Sequence, residues 1–156
     1  MTPLKRPIIL LVALCVLLFA GLPLVQYAAK HLDSSRLRRC GQCGMSLSKY
    51  ERTQYEIRWA DGTVTKTCGV QCGLTQHILH RDRFQSAAAK DYFNGRTFDA
   101  RNGYYVLGSR VLTDMAPGFI AFQSLANAEG FQKESGGELM NFEEALSAWG
   151  ERKVGH

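Results

Sequence analysis

The sequence predicts an α+β domain built from two related ββαβ-type lobes and preceded by one N-terminal transmembrane helix. Two observations carry this expectation. An uncharged apolar run extends from Ile8 to Val25, and roughly twenty such residues in a helix cross a hydrocarbon core of about 30 Å. Beyond it, strand-like alternation, turn dipeptides and a helical pattern occur twice in the same order, which suits helices packed on antiparallel sheets.

The apolar run follows Lys5 and Arg6 and fades into Gln26, Tyr27, Ala28 and Ala29. A cleaved signal peptide has a shorter apolar core and a small-residue cleavage site. A lipoprotein signal places a cysteine near the end of that core, whereas Cys15 follows Leu14 in its middle. Residues 1–29 therefore read as an uncleaved anchor, with Gly21 and Pro23 tolerated inside it. Residues 30–39 read as a basic juxtamembrane linker containing Lys30, Arg36, Arg38 and Arg39, and residues 40–150 as the folded domain. Basic residues flank both ends of the span, and the positive-inside rule alone favours a cytoplasmic C-terminal domain.

The elements of the domain follow in order. From Cys40 onward the pattern alternates in strand-like fashion. Tyr55, Ile57 and Trp59 share one face of a strand that ends at Asp61-Gly62, and Thr63 to Thr67 form its hairpin partner. Cys68 to His80 carries Val70, Leu74, Ile78 and Leu79 at helical spacing. Residues 84–93 suit a further strand. Turn signals at Asn94-Gly95 and Asn102-Gly103 precede the strand Tyr104–Leu107. A loop with Asp114-Met115-Ala116-Pro117-Gly118 leads to the strand Phe119–Phe122. Ser124 is placed to cap a helix that runs to about Glu134 and stops at Gly136-Gly137. Glu138 to Asn141 extends again, and Phe142 to Trp149 forms a last helix.

Charge narrows the partners. The net charge is +5, but the first 39 residues hold six Lys/Arg and one Asp, which accounts for all of it. The remaining residues carry thirteen basic and thirteen acidic side chains and are neutral overall. The domain has no net field for a polyanion, so no nucleic-acid partner is expected, and the basic segment suits lipid headgroups.

Four of the five cysteines fall in one stretch, as Cys40-Gly-Gln-Cys43-Gly44-Met45 and Cys68-x-x-x-Cys72. Four is too few for a disulfide framework in a domain of this size. Two thiols separated by two residues in a glycine turn can share one metal ion. The i, i+4 spacing of Cys68 and Cys72 puts both sulfurs on one helix face, and the hairpin between the pairs should bring them together. Thiolates combined with the Met45 thioether favour Cu(I) over hard cations. Two other readings stand beside this one. The spacing is near that of a structural four-cysteine zinc ribbon without matching it, and a CxxC pair can also serve a thiol–disulfide oxidoreductase. From Cys72, His80 lies about 80° and His77 about 140° round a helix, so neither is a strong ligand candidate. No nucleophile motif and no phosphate-binding glycine loop is present, and Gly44 and Gly108 serve turns.

Several ordered segments resemble the NosL family. They are Cys40 to Met45, the strand around Tyr55 to Gly62, Thr97-Phe-Asp-Ala100, Tyr105-Val-Leu-Gly-Ser109, Asp114-Met-Ala-Pro-Gly118, Phe119-Ile-Ala-Phe122 and Gly136-Gly-Glu-Leu139. The resemblance covers roughly residues 40 to 146. It implies a periplasmic Cu(I)-binding accessory protein that is not an enzyme, with a pair of α+β lobes similar to the organomercurial lyase. Its partner would be a copper donor protein or a client cuproenzyme such as nitrous oxide reductase. The family's copper-binding cysteine and methionine map onto Cys43 and Met115. Met45, Cys40, Cys68 and Cys72 are supporting candidates, and zinc is the alternative metal. In this picture Pro117 and Gly118 hold the Met115 thioether against the cysteines from the other lobe, where a plain gap-filling methionine is the alternative. With the anchor, the resemblance implies a single-pass protein of a bacterial inner membrane with its domain in the periplasm. Two features depart from the family pattern: typical members are lipoproteins, and Cys68 with Cys72 makes this chain richer in thiols.

Overall fold

A computed structural model describes residues 38–154. The expected anchor, residues 1–29, and most of the expected linker lie outside the described residues. Among those described, no helix is long and apolar enough to cross a membrane. At the start of the described residues, Arg39 forms an isolated bridge with Ser46, and Leu47 N–H bonds the Arg38 carbonyl.

The architecture is α+β, with two antiparallel sheets and three helices of more than one turn among the described residues. In chain order the elements are β1 (Tyr55–Trp59), β2 (Val64–Thr67), α1 (Val70–Leu79), β3 (Phe84–Lys90), β4 (Thr97–Asp99), β5 (Tyr104–Leu107), β6 (Phe119–Phe122), α2 (Leu125–Ser135), β7 (Glu138–Asn141) and α3 (Phe142–Val154). The first sheet runs β2-β1-β3-β4 and the second β6-β5-β7. In each half the first strand is central, its hairpin partner lies on one side, and the strand after the helix lies on the other. The twofold ββαβ pattern of the sequence is thus a repeat in topology.

Strand β1 shows why the alternation reads so clearly. Tyr55, Ile57 and Trp59 are buried while Arg58 is exposed, so every second residue enters the core. Strands β5 and β6 differ, because Val106, Leu107 and all of β6 are buried on both faces. One face meets α2 through Ile120, Phe122, Ala128 and Phe131. The other joins a larger core in which Tyr55, Ile57, Val70 and Leu74 meet Tyr105, Phe119, Phe142 and Trp149. The halves are therefore related in topology but share one core. Burying a side chain such as Ile57 or Leu74 contributes about 1.5–3 kcal/mol.

Four local expectations are corrected. Residues 40–54 do not form a strand: Cys40 N–H bonds the Met45 carbonyl at 2.8 Å, and a 3-10 turn follows at Leu47–Lys49. Strand β3 ends at Lys90 because the Asp91 carboxylate accepts the N–H groups of Phe93 and Asn94 at 3.1 Å, which bends the chain. Ser124 occupies the N-cap position of α2, but its side chain makes no capping hydrogen bond. Helix α3 runs five residues past Trp149, and the three-residue edge strand β4 has no counterpart among the expected elements.

Candidate metal centre

The first cysteine pair sits in a tight knuckle. Gly44 N–H bonds the Cys40 carbonyl at 3.0 Å, and Gly44 takes φ = 75°, a left-handed conformation that glycine adopts without a Cβ penalty. Gly41 N–H bonds the Lys66 carbonyl of β2 at 2.9 Å, so the knuckle is fastened to the edge of the first sheet. The β1–β2 hairpin then returns the chain, and Cys68 follows directly on β2. Thr53 Oγ1 donates to the Cys68 carbonyl at 2.8 Å, and Thr67 Oγ1 to the Gly69 carbonyl at 2.9 Å. These bonds fix the backbone from which Cys72 projects in the first turn of α1.

The four sulfurs converge. Cys40, Cys43, Cys68 and Cys72 place their Sγ atoms within 4.8 Å of one another. Cys43 Sγ is 3.5 Å from Cys68 Sγ, which is 3.8 Å from Cys72 Sγ. Four sulfurs at 2.3 Å from a tetrahedral ion would be about 3.8 Å apart, so a metal fits among them with little movement. Cys40, Cys68 and Cys72 are buried while Cys43 is exposed. The centre is thus enclosed on three sides and open at one sulfur.

Methionine sulfur stands around this cluster. Met45, from the knuckle, and Met115, from the loop between β5 and β6, both pack against the buried group of Cys40, Leu47, Cys68 and Cys72, as does Tyr50. The structure therefore brings all six candidate residues into one neighbourhood, with Met115 arriving from the second half of the fold. The histidines stay outside it. His77 stacks on Phe84 at 3.9 Å between ring centroids, and His80 lies edge-on to Trp59 at 5.7 Å.

Two polar residues that the sequence did not single out complete the surroundings. The Asp114 carboxylate accepts from the Cys68 thiol at 3.0 Å and from Gln71 Nε2 at 2.6 Å. Gln71 is wholly buried, and its Oε1 accepts from Phe119 N–H at 3.4 Å. A buried glutamine in a helix is itself a signal, since burying an unpaired amide is costly. Its partner lies 43 residues away, however, and no periodicity reveals it.

Electrostatics divides the thiols. Cys72 donates a hydrogen bond to Cys40, which pulls the Cys40 thiol down to about 4 despite its burial. That same bond, followed by burial, raises Cys72, which keeps its proton. Burial first, and the Asp114 hydrogen bond second, push Cys68 up. Cys40 is thus the buried thiol most readily deprotonated, while Cys72 and Cys68 hold their protons more tightly until a soft metal ion competes for the sulfur.

The structure matches the crystal structure of the copper chaperone NosL from Shewanella denitrificans with a TM-score of 0.62 at 21% identity, covering 70% of this chain and 90% of that one. A comparison with curated proteins finds no match. The sequence profile of NosL matches residues 31–149, the greater part of the chain and all of the metal centre, and the chain belongs to the NosL family.

Proposed function

We propose that this protein is a membrane-anchored, extracytoplasmic metallochaperone that binds Cu(I) through sulfur and passes it to a cuproenzyme such as nitrous oxide reductase. The observation that carries the reading is a cluster of four thiols of which Cys43 alone is exposed, with two thioethers packed against it. Soft sulfur ligands select Cu(I). An exposed ligand lets a partner's thiol or thioether bond to the metal as the Cu–Cys43 bond breaks, with no change of oxidation state. The fold shared with a copper chaperone supports the same reading. Beside the loop that carries Met115 lies a groove of about 350 Å³ bordered by Lys49, Tyr50, Arg52, Leu112 and Thr113, and Leu112 is 95% exposed. A partner that docks there would stand next to the cluster.

A structural zinc site is the second reading, and one observation favours it: the 3.5 Å and 3.8 Å sulfur separations suit a tetrahedral site of four cysteines. The two thioethers have no role in that reading. Loading the purified protein anaerobically with Cu(I) and Zn(II) in competition separates the two. Retention of copper that an apo-cuproenzyme then removes supports the chaperone; retention of zinc against excess Cu(I) overturns it. A C-terminal reporter active only outside the cytoplasm tests the proposed location.

A further inference from the structure

The loop that presents Met115 has no regular structure, yet it is tied down at two places by a single side chain. Gln71 donates through Nε2 to Asp114 at 2.6 Å and accepts through Oε1 from Phe119 N–H at 3.4 Å, so it holds residues on both sides of Met115. Asp114 is seated closely. A Cβ placed on Gly69, at the start of α1, would lie 2.5 Å from Asp114 Oδ1 and 2.7 Å from Oδ2. Gly69 has an extended backbone (φ −151°, ψ 166°) that any residue adopts, so what demands glycine there is room for the carboxylate. The second Asp114 oxygen accepts from the Cys68 thiol at 3.0 Å. The loop also closes on itself, since Thr113 Oγ1 donates to the Met115 carbonyl at 2.8 Å. Asp114 therefore touches Gly69 at the helix start, Gln71 and a cysteine of the cluster together.

We propose that Asp114, gripped by Gln71 and seated over Gly69, is a positioning residue that sets the Met115 thioether against the cysteine cluster and so gives the site its preference for Cu(I) over Zn(II). The inference rests on the copper reading above and adds the residue that makes it selective. Thioether ligation favours Cu(I), whereas zinc binds well to thiolates alone. Releasing the loop therefore weakens copper binding and leaves zinc binding nearly unchanged.

The test uses the full chain, Cu(I) and Zn(II) as probes, and competition with a chromophoric chelator for each metal. Asp114→Ala should lower Cu(I) affinity by roughly ten- to a hundredfold, the scale for losing a group that orients a ligand. Met115→Leu should do the same, and the double variant should be no weaker than Met115→Leu alone. Gly69→Ala should reproduce the loss, because it displaces Asp114 without removing a sulfur or a hydrogen-bonding group, and it keeps the test decisive if Asp114→Ala does not fold. X-ray absorption should count fewer sulfurs around copper in each variant. Asp114→Ala or Gly69→Ala with wild-type copper affinity overturns the inference and leaves the copper reading standing. Losses that multiply in the double variant, or that fall equally on zinc, also overturn it. A wild-type protein that holds no Cu(I) through sulfur overturns both.

Discussion

The sulfurs of Cys43 and Cys68 lie 3.5 Å apart although 25 positions separate them in the chain, and one is exposed while the other is fully buried. This pair marks where solvent meets the centre, and the two cysteines should respond differently to change. Cys43→Ser should alter stability by no more than about 0.5 kcal/mol, as for an exposed position. Transfer of bound Cu(I) to an acceptor should slow sharply. Stopped-flow transfer beside a thermal melt measures both; transfer at the wild-type rate would remove Cys43 as the exchange point.

Met115→Leu keeps volume and apolarity, so unfolding free energy should change by under about 1.5 kcal/mol. Cu(I) affinity should nevertheless fall, with Zn(II) affinity held. Because a thioether carries no proton, the difference between wild type and variant should grow toward mildly acid pH, where protons compete for thiolates. Copper titrations of both proteins at neutral and acid pH test this, and identical curves would make Met115 a gap-filling residue.

His77 gives a pH signature separate from the cysteines. Burial against Phe84 and Phe142 lowers its pKa from the usual 6.5, helped by Arg81 and Arg101 and opposed by Glu143. The folded state holds the neutral ring, so the unfolded chain binds the proton first as pH falls. This group therefore contributes no slope well above pH 6.5, and stability drops as pH falls from 6.5 toward the lowered native value. Urea unfolding of wild type and His77→Gln across that window should show a shallower acid loss in the variant.

Much of this could be seen in the sequence, and the exceptions have physical causes. The Asp61-Gly62 hairpin and the alternation of Tyr55, Ile57 and Trp59 are local signals, and they sufficed to bring Cys40 and Cys43 toward Cys68 and Cys72. Residues 40–54 misled because their alternating pattern conceals a knuckle closed by the Cys40–Met45 and Gly44–Cys40 hydrogen bonds and fastened to β2 by the single bond from Gly41 N–H to the Lys66 carbonyl, which no local pattern reports. Strand β4 has three residues, Thr97 to Asp99, too few for any period to show. The Gln71–Asp114 contact escaped for the opposite reason: each residue looks ordinary in its own segment, and its meaning lies in a partner 43 residues away.

Residues 38–154 have their own core, so removing residues 1–29 should leave a soluble domain that unfolds cooperatively. Gel filtration and a denaturant titration of the truncated protein check this. Aggregation would mean that the apolar segment covers part of the fold rather than anchoring it.

The repeated topology carries a consequence for how such a site is altered. The first and second strands of each half are joined by a hairpin connection: four residues, 60–63, in the first half, and eleven, 108–118, in the second. The longer one carries Asp114 and Met115. The β5–β6 pairing holds the two ends of this connection in register, from Tyr104↔Phe122 to Leu107↔Phe119, and its middle is fastened to the rest of the fold by Arg110 N–H on the Ser135 carbonyl and by Asp114 on Gln71. A connection that kept those fastenings and carried another ligand at position 115 would change the metal centre from the second half of the molecule, with the four cysteines of the first half as its fixed part.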